Sequence, residues 1–547
     1  MLDQVVFDTS EICYQLGIKK AVLCPGSRNA PLITSFACHP NFFCYSLIDE
    51  RSAAYFALGL ALQSNEPVVV CCTSGSALLN IASAAAEAFY QEVPIVILSA
   101  DRPPEWIDQG DGQSMRQNGV LDNHLKGGFQ LPVEKNTRNG RWEYFRKIKE
   151  SVLTSCRVPR GPVHLNIPFR EPFYPDPGQD LSFSKIKVFN PNPSYSAHEN
   201  LLDIYNHKKI LLVVGQCHSP LQNLVASAEK KHIPIISEVI ANCVTTIKHH
   251  DPLLWNKSQW ATLSPDLIIT VGKALVSKNL KLFLRASNAK HWHLESTGRA
   301  RDVFQKQVVN LETPLDSFIG FLNTLNNQDP NYFESWKQIS DDAESKILNW
   351  ANSASFSEVK AFYKVVKRIP SKSNVHLANS MPIRYANLMK VTKKLHFYSN
   401  RGVSGIDGSN STAVGISLAD PNTRNYLLSG DLSLLYDRNA FLHNHDYHNL
   451  KIVVFNNHGG GIFDIIPGPQ HIKSQYRKAF IQTTHDRNFK NYAEEFGISY
   501  FLADDESSLK KGLDLFFMEK QCTLLEIQTK QFLNTQQFNS FKTIFTN

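Results

Sequence analysis

Two polar pairs, Gly430-Asp431 and Asn456-Asn457, each end an apolar run with strand character, Asn425 to Ser429 and Lys451 to Phe455. The stretch Leu432 to Leu442 between the runs spaces its apolar residues as a helix does. Strand, helix, strand is a right-handed crossover unit, so both pairs fall at the carboxyl ends of neighbouring parallel strands. Asp431 and Asn457 then present hard oxygen donors side by side, which suits Mg²⁺ completed by phosphate oxygens and water. A helix starting after Asp431 turns backbone N–H groups toward the same phosphates. Each pair alone is weak, because Asp431 reads equally as a helix cap and Asn457 to Gly461 as a loop.

More polar clusters end strands in the first part of the chain. They are Cys24-Pro-Gly-Ser-Arg28, Asp49-Glu50-Arg51, Thr73-Ser74-Gly75-Ser76 and Ala100-Asp101-Arg102. Parallel topology gathers such ends on one sheet edge, where open α/β sheets bind ligands. Taken one by one, Asp49, Ser74 and Asp101 read as N-caps.

Strands alternate with helical segments in three blocks, 1–180, 195–335 and 355–547, so the expected fold class is α/β with three doubly wound parallel-sheet domains. A proline-rich stretch, Pro172 to Pro193, reads as a linker between the first two blocks. The middle block holds strand candidates Ile210 to Val214, Ile233 to Ile236, Leu267 to Val271 and His291 to Leu294. It has no G-x-G-x-x-G fingerprint, which argues against a flavin or nicotinamide site there. The last block holds strands ending at Ala378, Ser399, Ser429, Phe455 and Ile527.

At 547 residues and 42% apolar content the chain is long enough for about three domains with buried cores. No apolar run approaches the roughly 20 residues of a membrane span. Asp3, Asp8 and Glu11 argue against a secretory signal, and a cytoplasmic enzyme is expected. The ten cysteines form no C-x-x-C pair and read as reduced thiols. His443, His445 and His448 lack a partner Cys or carboxylate array and are not read as a zinc site. A net charge of +7 without a long basic block fits anionic substrates better than nucleic acid.

The segments Pro25 to Leu32, Asp49 to Ala54, Ala100 to Pro104, Gln113 to Gln117, Ser399 to Gly408, Gly430 to Ser433 and Asn456 to Phe463 together resemble the MenD family. These are thiamine diphosphate-dependent 2-succinyl-5-enolpyruvyl-6-hydroxy-3-cyclohexene-1-carboxylate synthases of menaquinone biosynthesis. The resemblance is dense in the first and last blocks and thin in the middle one. It implies the three-domain thiamine diphosphate enzyme fold, with a pyrimidine-binding first domain and a diphosphate- and Mg²⁺-binding last domain. It also implies decarboxylation of 2-oxoglutarate, followed by conjugate (1,4) addition of the succinyl carbanion to isochorismate. The implied metal is Mg²⁺, with Mn²⁺ as a substitute, held by Asp431, Asn457 and the Gly459 carbonyl. Implied cofactor contacts are Glu50, Thr73, Ser74, Ile406, Gly430, Asp431, Leu432, Ser433, Asn457, Ile462 and Phe463.

Glu50 is implied to hydrogen-bond N1′ of the aminopyrimidine and relay a proton; it also reads as a first-turn helix acid. Ile406 is implied to wedge beneath the cofactor, and otherwise reads as a core isoleucine. Both substrates are dianions. The implied reacting contacts are Arg28, Gln113, Ser380, Arg384 and Arg401, with Ser27, Arg102, Lys278, Ile462, Phe463 and Ile466 around them. Any single arginine also reads as a structural salt bridge.

Two positions depart from the family pattern: Asn279 follows Lys278 where a basic residue occurs, and Gly461 stands where a longer polar side chain occurs. A homodimer or dimer of dimers is implied, with an active site that pairs Glu50 of one chain with Asp431 of another. Competing readings are an acetolactate synthase or 2-oxoacid decarboxylase type of enzyme, and a non-catalytic protein that retains the fold. The arginines argue against the first, and the intact Glu50, Asp431 and Asn457 against the second.

Overall fold

Val68–Cys72 and Ile95–Asp101 are buried at every residue, as continuous apolar runs require when helices cover both faces of a parallel sheet. The computed structural model describes residues 3–174, 176, 179, 182–184, 204–217, 219–295, 301–306, 308–390 and 393–546. Block limits at 180 and 195 lie outside the described residues, as does most of the expected linker. The chain divides into two units. One comprises Met1–Pro193, Asn400–Thr423 and Leu435–Leu450, and the other Ser194–Ser399, Arg424–Leu434 and Lys451–Asn547.

The first unit holds β1 (Lys20–Leu23), β2 (Phe43–Ser46), β3 (Val68–Cys72), β4 (Ile95–Asp101), β5 (Gly127–Gln130) and β6 (Val163–Pro168) in the order β2-β1-β3-β4-β6-β5. All five pairings are parallel. Helix Glu50–Ser64 crosses helix Ser409–Ala419 at a glycine contact. A Cβ on Gly59 would lie 2.2 Å from the Thr412 carbonyl oxygen, and one on Gly415 2.2 Å from that of Phe56. Only glycine lets the two backbones approach this closely.

The second unit contains two sheets. The first is built from β7 (Ile210–Val214), β8 (Ile235–Ser237), β9 (Leu267–Val271), β10 (Lys290–Leu294) and β11 (Val309–Leu311), ordered β11-β10-β9-β7-β8. The other is built from β12 (Asn374–Leu377), β13 (His396–Tyr398), β14 (Asn425–Gly430), β15 (Leu450–Asn456), β16 (Ser499–Ala503) and β17 (Thr523–Gln528), ordered β13-β12-β14-β15-β17-β16. The C-terminal helix Gln531–Thr546 buries Phe538, Phe541 and Phe545 in the core beneath this sheet, against Trp350 and Trp255.

The crossover between the two polar pairs differs from expectation. The segment 432–442 is a six-residue α-helix, Asp431–Tyr436, followed by a 3-10 turn, Arg438–Phe441. The break falls at Asp437, whose backbone leaves the helical region and whose buried carboxylate accepts from Ser411 N at 2.7 Å and Ser411 Oγ at 2.8 Å. β5, β11 and β16 are three strands that the sequence pattern does not reveal.

Candidate active site

In the first unit, Asp49 caps helix Glu50–Ser64, accepting from Arg51 N at 2.9 Å and Ser52 N at 3.2 Å. Glu50 is therefore the first helical residue, and its side chain reaches Asn80. Burial raises its carboxyl pKa, with its own backbone N–H opposing. Thr73 and Ser74, just past β3, are buried, and neither hydroxyl has a hydrogen-bond partner among the described residues. Gly26 brings the Cys24–Arg28 loop onto Thr73, since a Cβ there would lie 2.5 Å from Thr73 Cβ.

Gln117 pins the neighbouring segment. Its Oε1 accepts from Gly75 N at 2.7 Å while its Nε2 donates to Ala100 O and Asn166 Oδ1. Gln113, exposed and at φ +52, then lies with its backbone against Gly75. Ser27 is exposed, whereas Arg28 is buried, donating to Phe169 O at 2.9 Å and stacking on Phe173. Arg102 forms an ion pair with Asp111 at 2.7 Å and donates to Gly112 O.

Residues 401–408 belong to this unit and are held from two sides. Buried Glu87 accepts from Gly402 N and Val403 N, each at 2.7 Å, and Tyr55 OH donates to Asp407 at 2.8 Å. Arg401 opens the clamped loop. Ile406 is 37% exposed, so it is not the core isoleucine its residue type suggests. His445 Nε2 accepts from Ser46 N at 2.9 Å. His448 pairs with Asp446 at 2.9 Å, and His443 packs against Phe56.

In the second unit, Asp431 and Asn457 sit past the ends of adjacent β14 and β15, and both are buried. Asp431 Oδ1 accepts from Leu432 N at 2.7 Å and Oδ2 from Gly459 N at 2.8 Å, while His485 Nε2 stands 3.3 Å from Oδ2. Gly459 adopts φ +145, where a Cβ would strike Gln482 O at 2.8 Å, so this turn needs glycine. Asn457 Nδ2 donates to Glu358 Oε2 at 2.6 Å, and Asn457 Oδ1 is buried without a donor among the described residues. Burial pushes Glu358 up to about 7; the Asn457 hydrogen bond opposes this, Asp431 adds to it, and Tyr385 opposes it.

The pair Asn456-Asn457 divides its work. Asn456 fastens the turn, donating to Glu526 Oε1 at 2.7 Å and accepting from His458 N. Asn457 keeps an open oxygen. A buried carboxylate with no lysine or arginine on it among the described residues, beside an amide oxygen without a donor among them, is a donor set that fits a divalent cation.

Gly430, Leu432 and Ser433 flank Asp431. Ile462, Phe463 and Ile466 lie half-buried in and beside the short helix Ile462–Ile465. Ser380 takes φ +75 before helix Met381–Leu388, and its carbonyl accepts from Arg384. Lys278 is exposed in the first turn of helix Lys278–Ala286.

The two departures from the family pattern have local reasons. Asn279 donates to Asp251 Oδ1 at 2.7 Å, and Asp251 in turn accepts from Asn387. Gly461 lies over Asn457, where a Cβ would come within 3.0 Å of Nδ2. Glu87, Glu358 and His485 escaped the sequence reading. No motif marks a buried acid whose partners lie far away in the chain.

Residues 5–123 match the thiamine pyrophosphate enzyme N-terminal TPP binding domain. Residues 186–377 match the middle domain of thiamine pyrophosphate enzymes, and 380–527 the C-terminal TPP binding domain. A 2-succinyl-5-enolpyruvyl-6-hydroxy-3-cyclohexene-1-carboxylate synthase from Cytophaga hutchinsonii is 38% identical, covering 98% of both chains. Proteins of the same name from Flavobacterium johnsoniae and Bacteroides fragilis are each 36% identical, covering 96% and 94% of both chains respectively. Likeness of this extent, over nearly the whole chain, means that the chain belongs to the 2-succinyl-5-enolpyruvyl-6-hydroxy-3-cyclohexene-1-carboxylate synthase family of thiamine pyrophosphate enzymes.

Proposed function

We propose that the protein decarboxylates 2-oxoglutarate and transfers the succinyl group to isochorismate by conjugate addition, a step of menaquinone biosynthesis that forms the product named in its relatives. The observation that carries this reading is the 38% identity to such a synthase over 98% of the chain. Thiamine diphosphate, when bound, supplies the electron sink for loss of CO₂.

The chain's own groups take the remaining roles. Asp431, Asn457 Oδ1 and the Gly459 carbonyl hold Mg²⁺ or Mn²⁺, and Gly430, Leu432 and Ser433 line the diphosphate. Thr73 and Ser74 offer the cofactor hydroxyls that have no partner among the described residues. Glu50 holds and moves a proton at its carboxyl, a task that its raised pKa favours. Ile406 supports the cofactor through its exposed face, with Ile462 and Phe463 as apolar wall. Ser27, Arg28, Arg102, Gln113, Lys278, Ser380, Arg384, Arg401 and Ile466 are the proposed contacts of the two dianions, and arginine grips carboxylates bidentately.

The domain limits 1–180, 195–335 and 355–547 are part of the proposal. In support, the strands of each sheet fall wholly inside one of these ranges. A cytoplasmic homodimer, or a dimer of such dimers, completes it; light scattering should give two or four times 61.8 kDa, and a monomer mass would refute it.

The test is an assay with 2-oxoglutarate, thiamine diphosphate, Mg²⁺ and isochorismate, following loss of isochorismate absorbance. Loss that requires all four is expected. Turnover of pyruvate with none of 2-oxoglutarate would overturn the assignment.

A further inference from the structure

We infer that Glu358 is the positioning residue that turns the Asn457 carboxamide so that its oxygen faces the divalent cation. The inference rests on Asn457 being a metal ligand, as proposed above. A carboxamide has a donor end and an acceptor end of nearly equal shape, so something must decide which end meets the cation.

Glu358 opens helix Glu358–Arg368 and is 3% exposed. Its Oε2 accepts from Asn457 Nδ2 at 2.6 Å, and Asn457 Oδ1 is left with no donor among the described residues. Reversing the amide would set two acceptors 2.6 Å apart. Glu358 is itself held in place. Asn534, on the C-terminal helix, takes the Glu358 backbone N–H on Oδ1 at 2.8 Å and offers Nδ2 to Glu358 Oε2 at 3.4 Å. The Tyr385 hydroxyl bonds the same carboxylate. Asn534 is fixed in turn by Thr529 Oγ1 at 2.9 Å. Among the described residues every side-chain partner of the carboxylate is a neutral donor, and none is a lysine or arginine, so the group acts as an acceptor rather than as half of an ion pair. Partners of this kind, one bond behind a ligand, commonly set 10- to 100-fold of metal affinity, as an order of magnitude.

The experiment titrates Mn²⁺ at pH 8 in the presence of thiamine diphosphate, reading free Mn²⁺ by electron paramagnetic resonance, with a melting curve for each variant. Asn457→Ala and Glu358→Leu should each weaken Mn²⁺ binding roughly 10- to 100-fold. Glu358→Gln, whose carbonyl oxygen still accepts, should stay within about threefold of wild type.

Weakening in Asn457→Ala but not in Glu358→Leu overturns the inference and leaves the ligand assignment standing. Wild-type binding in Asn457→Ala overturns both. Glu358→Gln as weak as Glu358→Leu also overturns the inference, because charge and not orientation would then be the cause.

Should Glu358→Leu fail to fold, a reversed pair carries the test. Asn457→Asp sets two carboxylates face to face and should lower the metal-free melting temperature. Adding Glu358→Gln supplies a donor to the new acid and should restore it. No recovery in that double variant overturns the inference.

Discussion

Glu50 sits where two physical demands meet. As the first residue of a helix capped by Asp49 it enjoys the positive end of the dipole, yet burial raises its pKa despite that help. A carboxyl that retains its proton more readily than usual is suited to relaying one. Glu50→Gln should keep cofactor affinity within a few-fold and slow hydrogen–deuterium exchange at C2 of the bound cofactor by about 10²-fold or more. Quenched-flow NMR reads this directly, and wild-type exchange would return Glu50 to a capping role. The sequence made Glu50, Asp431 and Asn457 legible because each stands beside a strand end. It could not show Glu358 or Glu87. Their partners, Asn457, Asn534, Gly402 and Val403, lie about a hundred to three hundred residues away in the chain, and only folding brings them together.

Strands buried on both faces were legible, whereas three of the six edge strands, β5, β11 and β16, were not. β4 and β15 are seven-residue runs, each buried throughout, and the pattern shows both. β5 begins Gly127-Gly128, β11 is three residues long, and β16 has only Ala503 buried. All three lie at sheet edges, where one flank lacks a partner and no continuous apolar run is required. The helix crossing at Gly59 and Gly415 depends on what those residues lack. Gly59→Ala should drive a methyl into the Thr412 carbonyl and destabilise the protein by about 3 kcal/mol in urea unfolding, the upper end of ordinary overpacking. A loss below about 0.5 kcal/mol would mean that the helices slide apart freely.

Acid stability is a property of the whole molecule, and buried neutral histidines set part of it. Burial lowers His376 to about 3 and His164 to about 4. Their native pKa values lie below the unfolded value of 6.5, so their contribution is intact above pH 6.5 and is lost as pH falls toward 3 to 4. His376 lies in β12 with both ring nitrogens lacking hydrogen-bond partners among the described residues. His376→Leu should therefore change little at pH 8 and be more stable than wild type by about 2 kcal/mol at pH 5, at 1.36 kcal/mol per pH unit. Melting temperatures of both proteins from pH 8 to pH 5 check it; parallel curves would show that His376 does not titrate on unfolding. Three sheets were readable from alternating strands and helices. The assignment of residues 400–423 and 435–450 to the same unit as the first sheet was not, because it depends on contacts such as Tyr55 with Asp407 that carry no periodic signature.

That interleaving has a consequence for how the protein comes off the ribosome. Residues 1–193 lack their companion segments until position 450 has been translated. At roughly 5–20 residues per second, the wait lasts on the order of tens of seconds. During it, the apolar face of helix Glu50–Ser64 that later meets Ser409–Ala419 has no covering helix from its own chain. A genetic cut anywhere between residues 193 and 400 therefore yields a first part that is missing segments of its own interior.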